Sequence, residues 1–106
     1  YATVLIRFMH LQSICIPRLS ASVSTSYIID RFERITGVGS IDRIDRIYKH
    51  CHEDYHKVFV HFTESCLQNE TTIKLMHMLI NDETIYIVYS EPWFWKCYAS
   101  KFNKPY

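Results

Sequence analysis

Glycine and proline are scarce, with two and three residues among 106. A disordered or low-complexity chain is usually richer in both and poorer in apolar residues, which here make up 48% of the sequence. Neither sign of charge dominates, since 12 basic residues face 11 acidic ones. The length allows one domain with one core, and any nucleic-acid partner must be held by a local patch rather than by overall charge.

Long apolar runs are also missing. The run at residues 3–6 is soon followed by Arg7, His10 and Gln12, far short of the roughly 20 apolar residues that a bilayer-spanning helix needs. No small-residue cleavage pattern typical of a secretory signal follows it. We therefore expect an intracellular protein, nuclear or cytoplasmic, whose four cysteines are reduced thiols.

The hydrophobic pattern predicts the order strand, helix, strand, strand, helix, strand. Ser24 is expected to cap the first helix, which the glycines at 37 and 39 end. Pro17 is expected to end the first strand, and isoleucines at every third position predict a bulge in the second. Strands are predicted over 13–19, 41–48, 55–62 and 84–89, and helices over 25–36 and 70–80.

This order is the split βαβ, or ferredoxin-like, arrangement, an α+β fold. Within it, residues 13–92 resemble the RNA recognition motif (RRM) family. The first half of that motif is matched by Leu19, Ile28, Phe32, Gly37 and Ile41. The end of its third-strand octapeptide is matched by Phe59, Val60 and Phe62 in the run KVFVHF.

The resemblance implies a four-stranded antiparallel sheet backed by two helices, with the first and third strands central. It also implies that single-stranded RNA stacks its bases on aromatic side chains of the open sheet face. At the three positions where the family usually has such aromatics, this chain retains Phe59 but has Lys57 and Cys15 at the other two. Strand alternation completes the predicted open face as Cys15, Lys57, Phe59, His61, Tyr86 and Val88.

Residues 93–106 are predicted to be an aromatic and basic C-terminal extension without any acidic residue. One interpretation is a binding arm in which Trp93 and Trp95 stack on bases. The phosphates would then meet Lys96, Lys101 and Lys104. Another is that the extension folds back over the open face, which requires at least one of Trp93, Trp95 and Tyr98 to be buried. A third is a surface for a partner protein, and residues 1–12 are expected to form an arm or an extra edge strand.

The sequence thus predicts a non-enzymatic module that binds RNA or another single-stranded nucleic acid, without a cofactor. The alternative is an RRM-like module for protein interaction or dimerisation that has lost RNA binding. His50, Cys51, His52 and His56 have no recognised zinc spacing, so we interpret them as a polar loop rather than a metal site. The abundance of isoleucine, tyrosine, phenylalanine and lysine suits an AT-rich genome, such as that of a large DNA virus or a parasite.

Overall fold

The computed structural model describes residues 12–48 and 54–100. They form an α+β fold in which two helices accompany a five-stranded antiparallel sheet of order β2-β3-β1-β5-β4. The strands are β1 (Ile14–Ser20), β2 (Ile41–Ile47), β3 (Tyr55–Phe62), β4 (Ile85–Ser90) and β5 (Trp93–Ala99). The helices are α1 (Thr25–Thr36) and α2 (Glu70–Ile80), and a short 3₁₀ helix, Glu64–Gln68, precedes α2.

Both helices begin at side-chain caps. The Ser24 hydroxyl accepts a hydrogen bond from the Tyr27 amide at 3.1 Å, as the sequence predicts. Asn69 caps α2 in the same way, accepting from the amides of Thr71 and Thr72. At the end of α1 the backbone turns through Gly37 at φ +103°, a conformation that L side chains rarely adopt. The predicted spans 25–36 and 70–80 are therefore confirmed.

A bulge in β2 explains the spacing of its isoleucines at every third position, again as predicted. The pairing register with β3 shifts between Ile41 and Arg43, which lets both Ile41 and Ile44 pack against the core. Alternation then resumes, so that Ile47 is 54% exposed on the opposite face.

The prediction that Pro17 ends the first strand is wrong. β1 continues to Ser20, and its register against β3 shifts between Ile16 and Leu19 instead. Proline lacks the amide hydrogen that a regular ladder requires, and a bulge accommodates it without ending the strand.

The sheet has five strands rather than four. Residues 93–99 are not a tail lying across the open face but β5, which pairs with β1 on one side and β4 on the other. β1 and β3 remain interior strands, as expected, while β4 becomes an edge strand. Neither helix in the described part of the chain is long and apolar enough to cross a membrane.

Trp95 joins the sheet to the helices in a single hydrophobic core. Its ring stacks on Tyr89 at a centroid distance of 4.6 Å and on Phe32 at 6.1 Å. At 5% exposure it confirms that one of the three aromatics at 93, 95 and 98 is buried. Its partners are in the core, however, and not on the open face.

We expect Trp95→Ala to lower the free energy of unfolding by about 3–5 kcal/mol, because it removes a large buried ring and leaves a cavity. The control is Phe94→Ala, on the same strand, whose ring is 52% exposed; it should cost under ~1 kcal/mol. Urea unfolding followed by circular dichroism measures both. Equal losses for the two variants would contradict the position of β5.

Candidate functional site

The sheet face opposite the helices brings together the six side chains predicted for it. Cys15 lies opposite Phe59 on one side and Tyr98 on the other. On the β4–β5 hairpin, Tyr86 lies opposite Lys96, and Val88 lies opposite Phe94. Because the pleat alternates, Lys57 and His61 share this face with Phe59.

One half of the open face is covered. This covered half consists of Ser13, Cys15, Phe59 and His61, which are between 3% and 8% exposed. A ring as buried as Phe59 offers little surface on which a base could stack. The predicted stacking role of Phe59 therefore has no exposed ring to support it in this structure.

Within the covered half, His61 is held by hydrogen bonds at both ring nitrogens. Its Nδ1 lies 2.7 Å from the Ser13 hydroxyl, and its Nε2 lies 2.8 Å from a carboxylate oxygen of Asp45. Arg43 donates to the same Asp45 oxygen at 3.2 Å. A neutral imidazole satisfies this geometry when Nε2–H donates to Asp45 and Nδ1 accepts from Ser13. The network fixes the His61 side chain as part of the folded structure.

The other half of the face is exposed. This exposed half consists of Lys57, Tyr86, Val88, Phe94 and Lys96. The rings of Tyr86 and Phe94 are 55% and 52% exposed and meet edge to face at a centroid distance of 5.2 Å. Val88, also half exposed, extends the apolar surface beside them. The exposed rings that meet each other on this face thus lie on the β4–β5 hairpin, whereas the Phe59 ring of β3 is buried.

The exposed half is positively charged, with two lysines and no carboxylate among its five residues. The Lys96 ammonium lies 5.8 Å from the centre of the Tyr98 ring. Its pKa is raised, first by a hydrogen bond with the Tyr98 side chain and then by the charge interactions with Tyr98 and Tyr86. Lys57 lies 5.7 Å from the centre of the Phe59 ring. Both cations therefore sit beside aromatic rings on one surface, although the whole chain has a formal charge of only +1.

The site residues predicted in the C-terminal extension lie in different environments. Trp95 is in the core, so its predicted contact with a ligand is not compatible with its position. Trp93, at the start of β5, is 65% exposed. Lys101 and Lys104 lie outside the described residues, as do residues 1–11 and the histidines and cysteine at 50–52.

Phe94 and Tyr98 belong to the open face but were not among the predicted site residues. Their signal is the alternation within WFWKCYA, which places Phe94, Lys96 and Tyr98 on one side of a strand and Trp95 and Cys97 on the other. The aromatic and basic composition of this segment conceals that alternation.

The described thiols, those of Cys15, Cys66 and Cys97, are buried and free. Burial raises the pKa of Cys66 to about 11 and that of Cys97 to about 12. Burial also raises the pKa of Cys15, although the nearby charge of Lys57 opposes the shift. These thiols are therefore protonated at neutral pH, whereas nucleophilic attack and metal binding need the thiolate. No group of three or more histidine, cysteine or carboxylate side chains suited to a metal occurs within 12–48 and 54–100.

His56, at the other end of β3, interacts with β2 and the residue that follows it. Its Nδ1 accepts a hydrogen bond from Arg46 at 3.1 Å, and its ring stacks on Tyr48 at a centroid distance of 4.8 Å. These contacts give His56 a structural role.

No match to this chain was found among protein-family models, curated proteins or solved structures.

Proposed function

We propose that this chain is a non-enzymatic module that binds single-stranded nucleic acid, RNA above all, through the exposed half of its sheet face. The observation that carries the proposal is that one lysine and two exposed rings lie together on the β4–β5 hairpin, where Lys96 is paired with Tyr86 and Phe94 is two residues away on the same face. Stacking platforms combined with a positive surface are what single-stranded binders use.

The chemistry assigns a role to each side chain. Bases stack on the exposed rings of Tyr86 and Phe94, each contact contributing roughly 1–3 kcal/mol. Lys57 and Lys96 meet the phosphates, and the counterions released there make the affinity depend on salt.

An RRM-like arrangement of the sheet supports this proposal. In the family the last strand lies beside the first, and here β5 has that position, antiparallel to β1. β4 is then an additional edge strand that enlarges the open face. Because Phe59 is buried, stacking on Tyr86 and Phe94 of β4 and β5 replaces stacking on Phe59.

The first test is a fluorescence-anisotropy titration with labelled single-stranded RNA pools at two salt concentrations. The wild-type protein should bind with micromolar affinity that falls as salt rises. Phe94→Ala should weaken binding about 5- to 150-fold, which corresponds to the loss of one stacking contact. Lys96→Ala should reduce the slope of log affinity against log salt by about 0.7.

The control is Ile80→Ala, which shortens a side chain of similar exposure on α2, behind the sheet. It should leave RNA affinity unchanged. Absence of RNA binding by the wild-type protein at low salt would refute the proposed function.

A second candidate function, protein interaction or homodimerisation, is favoured by the contrast between the two edge strands. β2 (IDRIDRI) carries four charged residues, whereas β4 (IYIVYS) carries none. Charged side chains commonly protect sheet edges against pairing with other strands. An uncharged edge next to the exposed Tyr86 and Val88 is suited to pairing with a second copy or a partner strand.

Light scattering distinguishes this candidate from a monomeric nucleic-acid binder. If β4 pairs with a second copy, the wild-type protein is a dimer and Val88→Lys makes it monomeric, because two added charges then face each other. Ile47→Lys at the β2 edge is the matched control and should leave the dimer intact. A monomeric wild-type protein over the micromolar range would contradict homodimerisation.

A further inference from the structure

The bulge in β1 gives Arg18 an unusual position. Between Ile16 and Leu19 the chain contains one residue more than β3 opposite it, and both Pro17 and Arg18 are exposed there. A bulge redirects a side chain out of the regular pleat and is often found beside functional sites. Here it directs Arg18 across the surface towards the beginning of β3.

At the beginning of β3, Arg18 lies over the ring of Tyr55. The guanidinium carbon is 4.1 Å from the ring centre, and Tyr55 is 46% exposed. Tyr55 is two residues from Lys57 on the same strand, so the two side chains share the open face. The pair therefore combines a planar cation and an aromatic ring, held together at the surface before any ligand arrives.

We propose that Arg18 and Tyr55 form a second nucleotide subsite on the same interface, an inference that rests on the proposed function. The guanidinium plane, held flat by the ring, offers its outer side to a base and its N–H edge to the adjoining phosphate. The ligand of the whole interface is then a single strand of several nucleotides that crosses the sheet.

The sheet order sets the span that such a ligand must cover. β1 separates β3 from β5, so Tyr55 and Phe94 are at least two strand spacings apart, or about 10 Å or more at roughly 4.8 Å per spacing. Tyr86, on β4, is one spacing further away. Lys57 and Lys96 lie on β3 and β5, near the two ends of this path. A dinucleotide can fill the subsite on the hairpin, whereas contact with both subsites requires a longer strand.

The test is a length series of fluorescein-labelled oligouridine RNAs with two, four, six and eight nucleotides. The affinity of the wild-type protein should rise steeply once an oligonucleotide reaches both subsites, because the second contact becomes intramolecular. Arg18→Lys keeps the charge but loses the planar guanidinium. It should weaken binding of the eight-nucleotide RNA about 5- to 50-fold and leave dinucleotide binding unchanged.

Two substitutions of Tyr55 and a control substitution at Arg34 test the pair further. Tyr55→Ala should reproduce the effect of Arg18→Lys, while Tyr55→Phe should retain wild-type affinity because the ring remains. Arg34→Lys is the matched control, since Arg34 is an exposed arginine of α1 that pairs with Asp30. It should not change the length dependence.

The outcomes distinguish a failure of the second subsite from a failure of the proposed function. If Arg18→Lys shows the wild-type length profile while Phe94→Ala still weakens binding, the second subsite is refuted and the proposed function stands. If the wild-type protein binds none of these RNAs, nor the RNA pools, the proposed function fails and the subsite fails with it.

Discussion

The pairing of β5 with β1 is the interaction on which the rest of the structure depends. It places residues 93–99 inside the sheet, where alternation directs Trp95 and Cys97 towards the helices and Phe94, Lys96 and Tyr98 towards the open face. The same strand therefore contributes to the core and to the candidate site. A substitution on the side of β5 that faces the helices is expected to change stability, whereas one on the open face is expected to change binding. Neighbouring residues of the strand alternate between these two faces.

The division of the open face into a covered and an exposed half gives it its chemical character. In the covered half, Ser13 and His61 are hydrogen-bonded to each other, and His61 also bonds Asp45 of β2, so few polar groups remain there for a ligand. In the exposed half, two lysines accompany two rings whose burial on binding is favourable. A chain that is nearly neutral overall thus has a local surface with two cations and two exposed rings, which is the surface we propose for a single-stranded nucleic acid.

Features encoded locally were predictable from the sequence. Ser24 and the glycine turn at 37–39 specify the two ends of α1 through a side-chain hydrogen bond and through φ values, and those ends agree with the structure. The bulge of β2 was equally local, because the spacing of three isoleucines permits few alternatives.

Features that depend on distant partners were not predictable. A strand forms only where another strand pairs with it, and β5 pairs with residues about 80 positions away in the sequence. The composition of WFWKCYA therefore led to the prediction of an accessory arm, although its alternation is that of a strand. The burial of Phe59 likewise depends on its surroundings in the folded sheet, which a family motif does not specify.

The most direct test of a nucleic-acid interface on the β4–β5 hairpin is to map ligand contacts residue by residue on the folded protein. In ¹⁵N-labelled protein, titration with an eight-nucleotide single-stranded RNA should shift the amide resonances of Lys57, Tyr86, Phe94 and Lys96 most strongly. The amides of α1 and α2 should change little, since both helices pack behind the sheet. Shifts concentrated on the helices, or none at millimolar RNA, would contradict an interface on the β4–β5 hairpin.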